Sequence, residues 1–243
     1  MRFDLDQGAG AGLRLGMIML STDETVEYEA RAVLAGRDVN LMHARIPARA
    51  DVTPMDLAAM APEMTRTAAL LPRGLGAIAY ACTSGATIIG SQEVARLIAV
   101  AHPGTAVSNP LSAVIAALHA LGVRRIAMVT PYVAEVSEPM AACLGAAGIE
   151  VIHAVSFGQK EDWTVARITE ESTRRAMLEA GRVAGVEAIF ASCTNLRTFG
   201  VIAAVETELG LPVVTSNQAL LWDMMRLAGA EARGWGPGRL FAI

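Results

Sequence analysis

The chain has 243 residues, 53% hydrophobic and 18% charged, so it can bury a substantial core and is neither a disordered nor a fibrous sequence. Its formal net charge of -4, with no basic run longer than Arg124-Arg125, argues against a nucleic-acid partner. Three widely spaced cysteines, an odd number, argue against a disulfide framework and predict free thiols.

Two long stretches, residues 74–92 and 97–123, contain no Asp, Glu, Lys or Arg. Turn-forming residues interrupt both stretches, so neither provides the roughly 20 continuous apolar residues that a membrane-spanning helix requires. The first six residues include two aspartates where a signal peptide has a basic flank and an apolar run. We therefore expect no membrane association and a cytoplasmic location.

Short apolar runs alternate along the chain with longer segments of helical period, which is typical of a parallel sheet covered by helices on both faces. The predicted strands are residues 15–20, 39–44, 77–81, 106–108, 126–130, 151–156, 188–192 and 213–216. The predicted helices are residues 24–35, 54–71, 86–99, 110–121, 132–147, 169–184, 196–209 and 218–228. Residues 8–12 and 234–238 are glycine-rich and predict loops or terminal arms.

Three segments recur in the same order in both halves of the chain. They begin at Arg14 and Arg125, at Cys82-Thr83 and Cys193-Thr194, and at Ser108-Asn109 and Ser216-Asn217, with offsets of 111 (14 to 125), 111 (82 to 193) and 108 (108 to 216) residues. Buried strands resemble one another, but a Cys-Thr pair directly after a strand in both halves is less generic. The fold class predicted is α/β, with two similar parallel-sheet α/β lobes related by a pseudo-twofold axis and the active site in the cleft between them.

The first lobe is expected to comprise residues 1–115 together with 216–243, and the second lobe residues 116–215. Uncharged helical stretches such as residues 111–121 are compatible with a subunit interface, so we expect a homo-oligomer. Burial of the same helices within one subunit explains these stretches equally well.

The repeated cysteines, Cys82 and Cys193, are the candidate catalytic residues. Each is predicted to lie between a buried strand and a helix N-terminus, where free N–H groups and the helix dipole favour an ionised thiol. Two such thiols on opposite walls of a cleft could remove a proton from one face of a carbon and return one to the other face. Nearby backbone N–H groups could hold a carboxylate or an oxyanion; they belong to Thr83, Ser84, Thr194 and Asn195.

Other interpretations stay open at this point. Cysteine is often a small core residue, which is the role expected of Cys143 within its helical pattern and an alternative for the other two cysteines. A protease-like pairing of one cysteine with His153 would leave the second Cys-Thr element unexplained. A two-lobed chain could also be a non-catalytic binding protein that closes around a small molecule.

The sequence indicates neither a metal nor an organic cofactor. The four histidines, His43, His102, His119 and His153, are scattered without metal-ligand spacing. No Gly-x-Gly-x-x-Gly follows the first strand and no Walker motif is present, so a nucleotide cofactor is not expected. The predicted partner is a small carboxylate or amino-acid substrate.

Five motifs occur in order between about Arg14 and Ala228. They are Leu20-Ser21-Thr22-Asp23-Glu24-Thr25, Ala81-Cys82-Thr83-Ser84-Gly85, Thr130-Pro131-Tyr132, Ser156-Phe157-Gly158 and Ser192-Cys193-Thr194-Asn195. As a set they resemble the cofactor-independent Asp/Glu racemase superfamily. Within it, the resemblance is to the branch of maleate cis-trans isomerases, arylmalonate decarboxylases and the racemase- and decarboxylase-like proteins of ectoine utilisation, and the first-strand motif looks closest to the ectoine group.

The resemblance implies an active site between two α/β lobes, no cofactor, and reacting thiols at Cys82 and Cys193. Arylmalonate decarboxylases are similar but have glycine at the position of Cys82, so this chain looks more like a racemase or isomerase. Maleate isomerisation and arylmalonate-type decarboxylation stay as alternatives. The resemblance also implies further substrate-binding residues: Ser21, Thr83, Ser84, Tyr132, Thr194 and Asn195, of which Tyr132 would meet a substrate carboxylate.

Two departures from the resemblance bear on the substrate. Maleate isomerases have asparagines at the positions matching Asp23 and Asp162. An asparagine amide can donate to a carboxylate, whereas an ionised aspartate repels one. Asp23 and Asp162 would therefore disfavour a dianion such as maleate and favour a substrate with an ammonium or amidinium beside its carboxylate, such as ectoine or a ring-opened diamino acid. The alternative is that Asp23 caps a helix and Asp162 is a surface loop acid.

Overall fold

The computed structural model describes residues 1–6, 8 and 12–243, so most of the predicted arm at residues 8–12 lies outside the described residues. The strands of the first half are β1 (Leu13–Leu20), β2 (Val39–Ile46), β3 (Ala77–Ala81) and β4 (Ala106–Ser108). Those of the second half are β5 (Arg125–Tyr132), β6 (Glu150–Gln159), β7 (Ala188–Ala191) and β8 (Val213–Thr215).

The two halves repeat one sheet topology. The strand order is β2-β1-β3-β4 in the first sheet and β6-β5-β7-β8 in the second, and every strand pair is parallel. This repetition confirms the predicted α/β fold with two similar lobes. Since the carboxyl ends of parallel strands share one edge of a sheet, the residues that follow β3 and β7 occupy equivalent positions in the two lobes.

Helices cover both sheets. In the first half they are α1 (Val26–Leu34), α2 (Pro54–Ala58), α3 (Met64–Ala68), α4 (Thr83–Ile89), α5 (Ser91–Ala101) and α6 (Pro110–Ala120). In the second half they are α7 (Ala134–Ala146), α8 (Asp162–Val165), α9 (Glu170–Gly181), α10 (Ile202–Leu209) and α11 (Ser216–Leu227). None of the helices in the described part of the chain combines the length and apolarity needed to cross a membrane.

Three predicted helices were wrong in extent. The segment 54–71 is α2, a 3-10 turn at Ala61–Glu63 and α3, because Pro62 lacks the N–H that a continuing helix needs. The segment 86–99 divides between α4 and α5 at Gly90, whose φ of 93° only glycine adopts easily. The segment 196–209 becomes helical only at Ile202, and turns and bends occupy the residues before it.

The two sheets share one central core. One face of the first sheet, including Leu15 and Met17, packs against α1 and α11. The opposite face, including Ile18 and Tyr80, belongs to a larger cluster that continues into the second sheet and includes α6. The other face of the second sheet packs against α9 and α10. Side chains of β1 and β3 thus alternate between two cores, as the period of a buried strand requires.

The helices that follow the last strand of each sheet connect the two halves. α11 follows β8 but packs against β3 and β4 of the first sheet, while α6 follows β4 and packs against α11 and β8. The lobe boundaries themselves, at residues 115 and 215, stay a prediction. The exchange of helices places residues at the start of α11 beside the ends of both β3 and β7.

Candidate active site

The two repeated cysteines lie in one buried region. Cys82 directly follows β3 and Cys193 follows β7 after Ser192, and their exposed fractions are 6% and 4%. The Tyr132 hydroxyl lies 3.2 Å from the Cys193 sulfur. Cys82 also lies close enough for its negative charge, like that of Cys193, to raise the pKa of the Tyr132 phenol. The structure therefore brings both candidate catalytic residues to the neighbourhood of one buried side chain, that of Tyr132.

Cys82 has the position that the sequence predicted. It is the residue before α4, in an extended conformation with φ of −153°, and its sulfur accepts the Gly85 N–H at 3.2 Å. The thiol therefore replaces the usual polar side chain that caps a helix N-terminus.

Cys193 has a different local geometry. Its φ of 108° is the only positive φ of a non-glycine residue in the described part of the chain. Its N–H donates to the Ser216 hydroxyl at 3.0 Å, and its sulfur accepts the Asn195 N–H at 3.3 Å. Turns follow it, so the prediction of a helix directly after Cys193 was wrong. Such a conformation costs about 1–3 kcal/mol and persists only where the surroundings hold it.

Burial controls the ionisation of both thiols. Desolvation raises the pKa of Cys82 to about 12 and raises that of Cys193 well above its ordinary value. The negative charges of Asp162 and Asp23 raise both pKa values further, whereas the N–H groups of Gly85 and Asn195 lower them. The prediction of easily ionised thiols was therefore wrong for this closed arrangement, because desolvation outweighs the backbone donors.

Asp162 is the first residue of α8 and is buried, with 2% of its surface exposed, which contradicts the alternative of a surface loop acid. One carboxylate oxygen accepts the Thr22 hydroxyl at 2.6 Å and the other accepts the Tyr132 hydroxyl at 2.9 Å. The Asn195 amide donates to the Asp162 carbonyl at 3.0 Å. Asp162 thus joins the first-strand motif of one lobe to the Tyr132–Cys193 pair of the other.

Asp23 has the capping role that the sequence offered as an alternative, and its role toward a substrate stays a prediction. Its carboxylate caps the start of α1 by accepting the N–H groups of Thr25 at 2.8 Å and Val26 at 2.9 Å. It is also buried, and desolvation raises its pKa to about 6, with Asp162 contributing in the same direction. Among the described residues, no Lys, Arg or His forms an ion pair with Asp23 or Asp162. Asp23 and Asp162 are therefore two buried acids that no side chain of the described residues neutralises through an ion pair.

The remaining candidates divide into a buried group and one exposed residue. The Thr83 hydroxyl donates to Ser216 at 2.8 Å, and the Thr194 hydroxyl donates to the Ala81 carbonyl at 3.3 Å across the two halves. Ser84 is buried beside Thr83. Ser21 is exposed instead, and its hydroxyl accepts the N–H of Ala48 at 3.0 Å. The structure thus brings all the predicted site residues except Ser21 into the buried region.

Several site residues were missed at the level of sequence: Thr22, Glu29, Tyr80, Ser216 and Asn217. Thr22 lies within the first quoted motif and Tyr80 directly precedes the second, and the strand period places Tyr80 on the same face as Cys82. Ser216 and Asn217 belong to the third repeated segment, to which no role was given. Nothing in the sequence distinguishes Glu29 from the exposed acids of an amphipathic helix.

Glu29 holds the turn that follows Cys193. Its carboxylate accepts the N–H groups of Thr198 at 2.7 Å and Phe199 at 3.0 Å, and the Asn217 amide at 2.7 Å. The same Asn217 amide donates to the Thr194 carbonyl at 2.8 Å. Glu29 therefore connects α1, the turn after Cys193 and the start of α11, and it supports the strained backbone of Cys193.

The stability of the protein is expected to depend on the charge of Glu29. Burial raises the pKa of Glu29 from 4.5 to about 7, so the unfolded chain loses this proton first. The stabilisation of the folded state by the protonated Glu29 is fully present below pH 4.5 and is lost as the pH rises through 7. The free energy of unfolding changes by roughly 3 kcal/mol over this range. When the pH rises from 4.5 to 7.5, the free energy of unfolding of the wild type should therefore fall by about 3 kcal/mol more than that of Glu29→Gln.

Denaturant unfolding at the two pH values measures this difference, and the change with pH is independent of any hydrogen bond that glutamine fails to restore. Glu138→Gln, a substitution of an exposed acid on α7, is the control and should match the wild type. Equal pH dependence in the wild type and Glu29→Gln would contradict the prediction.

No three His, Cys, Asp or Glu side chains of the described residues are arranged to hold a metal ion. The site contains two thiols, a phenol beside each of them, three buried carboxyls, and hydroxyl and N–H donors from both lobes.

The chain is similar to known proteins both in sequence and in structure. A family model described as arylmalonate decarboxylase matches residues 15–241. An arylmalonate decarboxylase of Bordetella bronchiseptica is 36% identical over 159 residues, which span 65% of this chain and 65% of that protein, just under two thirds of its length. A maleate isomerase of Nocardia farcinica is 26% identical over 239 residues, covering 93% of this chain and 94% of the relative.

A solved structure of the Nocardia farcinica maleate cis-trans isomerase bound to TRIS has a TM-score of 0.84 to this structure at 25% sequence identity. The match covers 94% of this chain and 97% of the isomerase. The similarity therefore extends over both lobes.

Proposed function

The chain belongs to the arylmalonate decarboxylase family, and on this premise we propose that it is a cofactor-independent isomerase or racemase that uses Cys82 and Cys193. One observation carries the proposal. The two thiols follow equivalent strands in the two lobes, and the charge of each raises the pKa of the same phenol, that of Tyr132. The isomerase class is supported by the maleate isomerase relative, which covers nearly the whole chain.

In the proposed reaction, one cysteine as thiolate removes the proton from the carbon next to a substrate carboxylate. The electron pair of the broken C–H bond moves into the carboxylate, which becomes enolate-like and is held by backbone N–H donors such as those of Thr83 and Thr194. The thiol of the other cysteine then donates its proton to the opposite face of the carbon. The two cysteines exchange roles when the opposite enantiomer is the substrate.

The buried acids support a finer proposal about the substrate. The charges of Asp162 and Asp23 raise the pKa values of both thiols and have no ion-pair partner among the described residues. An ammonium or amidinium group beside the substrate carboxylate would compensate these charges and so favour thiolate formation. We infer a small zwitterionic acid, such as an amino acid, ectoine or a ring-opened diamino derivative of ectoine.

Decarboxylation is the second candidate function, favoured by the 36% identity to the Bordetella bronchiseptica arylmalonate decarboxylase. The presence of Cys82 speaks against it, because loss of CO₂ leaves an enolate whose carbon needs a proton on one face only. A second acid–base thiol has no task in that reaction.

The test is incubation of the enzyme in D₂O with a panel of substrates: amino-acid enantiomers, diamino acids, ectoine, maleate and an arylmalonate. Proton NMR and mass spectrometry measure deuterium entry at the α-carbon, fumarate formation and CO₂ release. We expect deuterium exchange with a zwitterionic acid and none with maleate. Turnover of maleate alone would reject the charge argument, and CO₂ release from the arylmalonate alone would reject the isomerase proposal.

A non-catalytic binding protein is tested with the same sample. Such a protein has no need for reactive thiols, so alkylation rates of Cys82 and Cys193 that no compound of the panel changes would favour it. For the proposed enzyme, we expect the substrate to protect Cys82 and Cys193 and to leave Cys143 unprotected.

A further inference from the structure

Each of the two thiols has a buried phenol as its neighbour. Beside Cys193 this is Tyr132, at the end of β5. Beside Cys82 it is Tyr80, which lies two residues earlier on β3, has no exposed surface and interacts with the Cys82 sulfur. Residues two apart on a strand point to the same face, so the strand itself brings this pair together.

Gly85 marks the point at which the two side chains meet. A Cβ atom at Gly85 would clash with the Tyr80 hydroxyl and lie 3.0 Å from the Cys82 sulfur. The Gly85 N–H donates to that sulfur at 3.2 Å. The missing side chain of Gly85 therefore lets the phenol hydroxyl and the N–H approach the thiol from the same side.

The Tyr80 hydroxyl has a weak acceptor in the structure. It donates to the Met60 thioether sulfur at 3.6 Å, and thioethers are poor acceptors. Burial, followed by the charge of Cys82, raises the pKa of Tyr80 well above 10, so the phenol keeps its proton and acts as a donor. A thiolate at Cys82 would be a stronger acceptor than the Met60 sulfur, and rotation about the phenol C–O bond is enough to redirect the proton.

We propose that Tyr80 is a positioning residue whose hydroxyl turns from Met60 to Cys82 when that thiol loses its proton, and so stabilises the thiolate. The proposal rests on the two-thiol function proposed above. The Cys82 thiolate then receives the Gly85 N–H and the Tyr80 hydroxyl. The Cys193 thiolate receives the Asn195 N–H, and the Tyr132 hydroxyl, which donates to Asp162 in the structure, would turn to this sulfur in the same way.

The two phenols are not copies of one another. The offset of 111 residues that relates the lobes pairs Tyr80 with Ala191 and Tyr132 with Ser21. The same pair of donors is therefore built from different strands in the two lobes. Ala191 and Ser21, which occupy the matching positions of the repeat, have no phenol to offer.

The experiment measures the alkylation rate of each cysteine by iodoacetamide between pH 8 and 9.5, with peptide mass spectrometry resolving the three thiols. In this range the rate is proportional to the thiolate fraction. Tyr80→Phe should slow the alkylation of Cys82 by about 10- to 100-fold, since a hydrogen bond to a charged group is lost. It should leave Cys193 within about twofold of the wild type. Tyr28→Phe, which alters an exposed tyrosine of α1, should change neither rate.

An unchanged Cys82 rate in Tyr80→Phe, or equal slowing of both thiols, would overturn the proposal. If Tyr80→Phe fails to fold, Met60→Leu provides the second test, because it removes the competing acceptor at nearly constant volume. Met60→Leu should accelerate Cys82 alkylation by about twofold or more, and no acceleration would contradict the proposal. The assay needs no substrate, so its result is independent of whether the substrate panel gives turnover.

Discussion

Replacing Cys82 or Cys193 by serine should lower kcat by at least about 10²–10⁴-fold, the usual contribution of a positioned acid–base group. Serine can still accept the N–H of Gly85 or Asn195 that each sulfur accepts, so the local hydrogen bonding is retained. A hydroxyl cannot replace the acid–base chemistry of a thiol, because its pKa is far higher. Steady-state racemisation or isomerisation of the substrate found in the panel measures the loss.

Exchange of the α-proton with solvent, measured for each enantiomer, separates the roles of the two thiols. In a racemase, the single variants should still exchange the α-proton of one enantiomer with solvent, since one base remains, while the conversion between enantiomers stops. Cys143→Ser is the matched control, because Cys143 is half-buried within α7 and follows neither β3 nor β7, and it should retain wild-type kcat. Full activity in either Cys82→Ser or Cys193→Ser, with an unchanged unfolding midpoint, would rule out the two-thiol mechanism.

Much of the fold could be predicted because the strands are buried on both faces. The observed β3 and β4 have the predicted bounds, residues 77–81 and 106–108, since a short apolar run between turn signals has few other structures available. The internal repeat then predicted that Cys82 and Cys193 follow equivalent strands. Both conclusions needed only local patterns and their recurrence.

The parts of the site that depend on contacts between the lobes could not be predicted in the same way. Asp162 lies in a polar segment that reads as exposed, and it is buried because its N–H donates to the Ala50 carbonyl at 3.0 Å and Thr22 covers its carboxylate. The positive φ of Cys193 and the turn after it depend on donors to Glu29, which is distant in sequence. No local pattern encodes such long-range contacts.

The charge of Asp162 should determine which substrates the enzyme accepts. Asp162→Asn removes one of two buried charges, so kcat/KM for the zwitterionic substrate should fall by about 10²-fold or more, the cost of losing a buried charge partner. Binding of the maleate dianion should improve, because its carboxylate no longer meets this negative charge. Competition assays give the inhibition constant of maleate, and steady-state kinetics give kcat/KM.

The same substitution should act on the thiols in the opposite direction. Asp162 raises the pKa of Cys193 and of Cys82, so its neutralisation should lower both pKa values and accelerate their alkylation at pH 8. If Asp162→Asn merely disrupted the structure, turnover would fall without this gain in thiol reactivity. Disorder in the site would not accelerate the alkylation of Cys82 and Cys193 relative to that of Cys143. Glu161→Gln changes the exposed acid directly before Asp162 and should leave selectivity and both alkylation rates unchanged. If Asp162→Asn left the preference between zwitterion and dianion unaltered, or if Glu161→Gln shifted it equally, the two buried acids would have no part in substrate choice, and the two thiols would have to select the substrate without them.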